Sequence, residues 1–134
     1  MPISYLLIDD LLMFKAIGDV TVHDFYETWD EVATDLPSQA PLDTLIDLRE
    51  AHIDVPGQEI ERIVYNLKQN QFFNKIVFVA ERGSFTYAMG RMFCINAEHA
   101  GCCSEIFLDM NEALAWLHGD GVEDTCPKGE IARE

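Results

Sequence analysis

The sequence predicts a single α/β domain with a mixed central sheet, about five strands and about four helices in the order ββαβαβαβα. Three observations predict it. Its 134 residues are 49% apolar, enough for one core. After an opening pair of short strands, compact apolar runs alternate with segments of helical period, a pattern that calls for parallel crossovers with helices packed on the sheet. Signals for helix starts and stops fall between the runs.

The elements follow in order. Ile3 to Ile8 and Leu11 to Ile17 read as strands joined at Asp9-Asp10, and Gly18-Asp19 is expected to end the second. Thr21 and Asp24 form a capping box, with Val20 and Phe25 at the staple positions. Phe25, Trp29, Val32 and Leu36 then recur at helical spacing until Pro37. Thr44 to Leu48 is a compact strand bounded by Pro41 and by Arg49-Glu50, followed by a loop from Ala51 to Val55. Pro56 suits a first helical turn, and Ile60, Ile63, Val64 and Leu67 give that helix its apolar stripe. Lys75 to Ala80 is nearly all apolar, as a central strand covered on both faces should be. Ser84 caps a third helix with Phe85, Met89, Met92 and Phe93 on its inner face, and Gly101 stops it. Cys103 to Leu108 is the last strand, and Asp109 with Glu112 starts the last helix before Gly119. Residues 1–119 thus make the domain, and the polar stretch 120–134 is expected to fray.

Charge narrows the function. There are 24 acidic and 9 basic residues, a net charge of -15. Nucleic acid demands a basic stripe, and anionic membrane surfaces repel such a chain. No apolar run is long enough to span a bilayer, and the N-terminus lacks a secretory pattern, so a cytoplasmic location is expected. Cys94, Cys102, Cys103 and Cys126 show no C-x-x-C spacing; they read as buried small hydrophobes, with Cys102 or Cys103 the candidates for a reactive thiol. Acidic pairs at Asp9-Asp10 and across Asp47-Leu48-Arg49-Glu50 read as solvated strand ends. His23, His52, His99 and His118 are scattered, and no H-E-x-x-H, G-x-S-x-G, phosphate-loop or dinucleotide motif occurs. An enzyme is therefore not expected, nor a cofactor or metal.

The run from Lys75 to His118 carries a resemblance. Arg91-Met92-Phe93, Phe107, Ala113, Trp116 and Leu117 are the residues on which it rests most, and it extends over nearly all of the chain to His118. The sequence resembles the SpoIIAA-like domains, the bacterial branch related to STAS and Sec14-type folds. The resemblance implies a STAS-like mixed sheet and a binding or regulatory role through protein contacts at the second and third helices. Antagonists of the STAS group carry a phosphorylated serine in an Asp-Ser-Ser-Gly turn. The matching stretch here is Asp54-Val55-Pro56-Gly57, in which Val55 and Pro56 replace both hydroxyl residues, so that switch is not expected.

Two further sites compete with a purely protein-binding role. Arg82-Gly83-Ser84 follows a strand and precedes a helix, at the edge where open α/β sheets bind ligands, and exposed N–H groups there favour an anion. Tyr87 and Arg91, with Glu98, share a partly polar helix face that extends this candidate surface. By analogy with Sec14-related proteins, Phe72, Phe73, Phe85, Met89, Met92 and Phe93 would line a lipid-like pocket, although at this spacing they read first as core. The expected partners are thus a protein or a small apolar or anionic ligand. A homodimer is common among small acidic domains of this class.

Overall fold

The computed structural model describes residues 3–9, 11–35, 42–53, 55–70 and 73–118. The elements are β1 (Ile3–Ile8), β2 (Leu11–Val20), α1 (Val22–Asp35), β3 (Leu42–Ile53), α2 (Gly57–Asn70), β4 (Phe73–Val79), α3 (Phe85–His99), β5 (Cys103–Phe107) and α4 (Met110–Leu117). The predicted order holds throughout. One five-stranded sheet runs β1-β2-β3-β4-β5, antiparallel between β1 and β2 and parallel thereafter. Each crossover advances one strand in the same direction. Right-handed connections of that kind place α1, α2 and α3 on one face. The buried core confirms it: Phe14, Trp29, Val32, Ile60, Ile63, Phe78 and Phe93 cluster on that side. On the other face, among the described residues, α4 covers Leu45, Val77 and Val79 with Ala113 and Leu117. Lys75 reaches over the Trp116 ring of α4, its ammonium 5.6 Å from the centroid.

Local signals explain most boundaries. Asp9 takes the left-handed backbone (φ 55°) that a tight β1–β2 turn demands, a conformation Asp tolerates better than most residues. At the start of α1, Thr21 N–H donates to Asp24 Oδ2 (3.0 Å) and Asp24 N–H donates to Thr21 Oγ1 (3.1 Å). That is the reciprocal box expected from the sequence. Ser84 and Asp109 cap α3 and α4, each accepting a backbone N–H three residues on. At the far end of α3, Cys102 N–H donates to Ala97 O and Gly101 N–H to Glu98 O, with Gly101 at φ 86°. This is a Schellman ending, and it needs the glycine.

Several boundaries differ from expectation. β2 does not stop at Gly18: Gly18, Asp19 and Val20 pair with Ala51, His52 and Ile53. β3 accordingly runs to Ile53 and absorbs both Arg49-Glu50 and the start of the expected loop. A register shift between Lys15 and Ile17 marks the irregularity that lets β3 continue. The distal half is secured from outside the sheet. Thr86 of α3 donates to Ala51 O (3.0 Å) and accepts from Ile53 N–H (3.2 Å), a tertiary latch without a local signal. Pro56 lies just before α2, its carbonyl accepting from Ile60 N–H, and β4 begins at Phe73. The expected contributions of Leu36, the Leu67 and Phe73 side chains, Phe72, Gly119 and the stretch 120–134 lie outside the described residues.

The inner face of α3 is also rotated from the expected one. Thr86, Gly90, Phe93, Cys94 and Ala97 are buried, whereas Phe85 and Met92 are exposed and Met89 is half-buried. Small residues decide the phase. A Cβ on Gly90 would sit 2.5 Å from Ile106 Cδ1, so its absence lets α3 lie close on β5.

Candidate functional site

Two abutting apolar cavities, each about 70 Å³, lie on the sheet face that α1, α2 and α3 cover. They share Val20, Phe25, Leu48, Ile53, Phe78 and Phe93 as walls. Trp29, Phe14 and Ile76 close the first, and Val55, Ile60, Ile63 and Met89 close the second. The hydroxyls in the walls are all turned onto backbone. Thr28 donates to Asp24 O (2.9 Å), Thr44 to Leu42 O (3.4 Å) and Thr86 to Ala51 O, while Thr21 Oγ1 is occupied by Asp24 N–H. The lining is therefore almost wholly apolar. Each is about half the volume of the roughly 150 Å³ apolar cavity that stays dry and accepts a single aromatic ring. Of the side chains expected around an apolar pocket, Met89 and Phe93 line it; Phe85 and Met92 point outward.

The turn Arg82-Gly83-Ser84 sits where the sequence placed it, between β4 and α3. Gly83 adopts φ 74°. Ser84 Oγ accepts from Tyr87 N–H (2.9 Å) and its hydroxyl donates to Glu81 O (2.8 Å), so the cap already uses both capacities. Arg82 is exposed, and Tyr87 is half-buried against the helix-side core. Arg91 faces elsewhere. With Cys94, Glu98, Ser104, Glu105 and Trp116 it lines a polar cavity of about 340 Å³ between α3, β5 and α4. Arg82, Gly83 and Ser84 are not among the walls of that cavity.

In the stretch expected to correspond to the serine turn, Val55 is buried and walls the second cavity, and Gly57 opens α2. Asp54 lies outside the described residues. Neither Val55 nor Pro56 carries a hydroxyl.

Asp47 corrects one reading. It is not a solvated strand end; it is 6% exposed, mid-strand, on the α4 side of β3. Arg49 binds it with both arms of its guanidinium, Nε to Oδ1 and Nη2 to Oδ2 at 3.0 Å each, and Arg49 N–H adds a third bond. Lys15 bridges Asp47 (3.4 Å) and Glu50 (3.0 Å) from the neighbouring strand. Burial alone would raise the Asp47 pKa, but the Arg49 fork, its backbone N–H and Lys15 outweigh it, and the carboxyl stays below its usual range. The arrangement is a mutual neutralisation, with the acid held ionised by its cations.

The cysteines also differ from a set of four thiols. Cys103 is disulfide-bonded. Cys94 keeps its thiol beside Ser104 Oγ (3.4 Å), and burial pushes it up to about 12, far from a reactive thiolate at neutral pH. Among the described residues, no three His, Cys, Asp or Glu side chains gather in a metal-binding group, and no helix is long and apolar enough to cross a membrane.

Comparison with known proteins bears on the architecture. No family model matches the chain, and no curated protein matches it significantly. Among solved structures it is similar to an uncharacterized protein of the DUF3478 family with a SpoIIAA-like fold, from Shewanella loihica PV-4. The identity is 21%, the match covers 86% of this chain and 91% of that one, and the TM-score is 0.58. The architecture implied by the residues around Arg91-Met92-Phe93 and Trp116 is the one observed, and the chain has a SpoIIAA-like fold.

Proposed function

We propose that this domain is a non-enzymatic binding and regulatory module that meets a protein partner through the outer surface of α2 and α3. One observation carries the reading. Of the seven large apolar side chains that are strongly exposed among the described residues, four belong to these helices: Tyr65, Phe85, Met92 and Ile95. Phe85, Met92 and Ile95 follow one exposed stripe of α3, opposite the side on which Gly90, Phe93, Cys94 and Ala97 are buried. Apolar surface grouped in this way favours a binding face. Val55 and Pro56 give the module no hydroxyl at the switch turn, so its regulation does not run through phosphorylation there.

The test is capture from the native host with the full chain, beside an Ile95→Glu variant whose circular dichroism and Tm match the parent. The expected result is a stoichiometric protein that the parent retains and the variant loses. Retention of the same protein by both, or of none by the parent, rejects the helix surface.

A second reading rests on the apolar cavities. A small apolar ligand held there by contact with the walls would make the domain a carrier or sensor. Native mass spectrometry of freshly purified protein tests it: a bound mass released on denaturation supports carriage, and a bare polypeptide counts against it.

A further inference from the structure

The three remaining exposed apolar side chains, Leu6, Ile8 and Ile17, lie on β1 and β2, the first two strands of the sheet. β1 is the terminal strand. Among the described residues it pairs only with β2, so half of its backbone N–H and C=O groups point away from the sheet. Proteins usually guard such an edge with a charge, a proline, a bulge or an overlying element. Ile3-Ser4-Tyr5-Leu6-Leu7-Ile8 has no charge and no proline, and its register against β2 is unbroken from Ile3 to Ile8. The opposite edge differs: β5 is shorter, carries Glu105, and lies against both α3 and α4.

The side chains continue the argument. Leu6 is 59% exposed and Ile8 46%. They stand opposite Met13 and Leu11 of β2, on the sheet face beyond the cover of α4. On the helix side, Glu31 and Asp35 of α1 flank the strand, and Tyr5 donates its hydroxyl to Asp35. Glu27 and Asp30 add exposed acid to the same helix, and Asp9 ends the strand.

We propose that the edge of β1 is a docking site for an extended basic peptide, which adds to the sheet as a sixth strand with apolar residues alternating along it. Backbone pairing supplies the geometry. Leu6 and Ile8 supply the apolar contact, and Glu31 and Asp35 select Lys or Arg over acidic sequences. Charge also discriminates against a second copy. A symmetric pairing of two β1 edges would bring two Glu31–Asp35 pairs together, each on a chain of net charge -15.

The test uses the full chain and three labelled probe peptides of alternating valine and lysine, or valine and glutamate, with fluorescence anisotropy as the readout. The lysine peptide is expected to bind, the glutamate peptide not. A lysine peptide N-methylated at alternate amides should lose binding, because it cannot complete the ladder. Glu31→Gln with Asp35→Asn should weaken the lysine peptide by about tenfold, the scale of two exposed ion pairs. Equal binding of the N-methylated peptide would reduce the effect to bulk charge and overturn the proposal. So would no binding at all, or a concentration-dependent dimer that Leu6→Lys abolishes. The peptide controls leave the protein unaltered, so their outcome is independent of whether any variant folds.

Discussion

Asp47 and Arg49 sit two residues apart on a strand, a spacing that normally puts both side chains on one face without bringing their charged ends into register. The shift in pairing beside them re-aims Arg49, so its guanidinium folds back onto the carboxylate while its N–H does the same. Because the folded-state pKa of Asp47 is lowered, its contribution to stability is present above the unfolded value of about 3.9 and disappears as pH falls through the folded value. Asp47→Asn should therefore cost about 1 to 2 kcal/mol near neutral pH, a figure moderated by the partial exposure of Arg49 and Lys15. Urea denaturation should show that difference narrowing below about pH 4. A gap that stayed constant into acid would mean the carboxylate charge contributes nothing. The sequence could not have supplied this, since Asp-Leu-Arg-Glu is also how an exposed strand end reads.

Among elements, α3 shows what periodicity can and cannot determine. Its boundaries were readable because Ser84 and Gly101 are local signals, as were the capping box of α1 and the cap of α4. Its rotation was not, because apolar bulk suggested Phe85 and Met92 as inward while contact with Ile106 required a residue without a side chain. The same limit hid the Thr86 latch, and with it the length of β3. The candidate surfaces suffered accordingly: the helices were identified, but the residues on their outer faces followed only from the phase. Gly90→Ala tests that phase. Alanine favours a helix by about 1 kcal/mol, whereas overpacking costs about 1 to 3 kcal/mol. The variant should be less stable by about 1 kcal/mol, and Ile106→Val, which removes the contacting Cδ1, should be far better tolerated beside it than alone. Strict additivity in denaturant melts would show that α3 does not rely on this approach.

For the whole molecule, charge is the leading property. Twenty-four acidic residues against 9 basic ones oppose compaction, and among the described residues the ion pairs engage few of the acids. Raising ionic strength from about 0.01 M to about 0.15 M shortens the screening length from about 30 to about 8 Å. Tm should rise by several degrees over that range, as calorimetry would show, and a fall would mean that the surface pairs outweigh the repulsion. Fold class was legible at this scale because strand and helix alternate without interruption; the function was not, because apolar surface reveals itself only once the helices are in place.

The order of the sheet has one further consequence, for the way the chain assembles. Every strand pairs with the strand before it in the sequence, so no strand must wait for a distant segment to be made. Ladder contacts are closed over the shortest loops that the crossovers allow, which keeps the entropic barrier to folding low for a largely parallel sheet. During synthesis, β1 and β2 can form a hairpin while α1 is still emerging, and each later strand finds a finished edge to join. The apolar β1 edge is then formed ahead of the helices and strands that follow it in the chain.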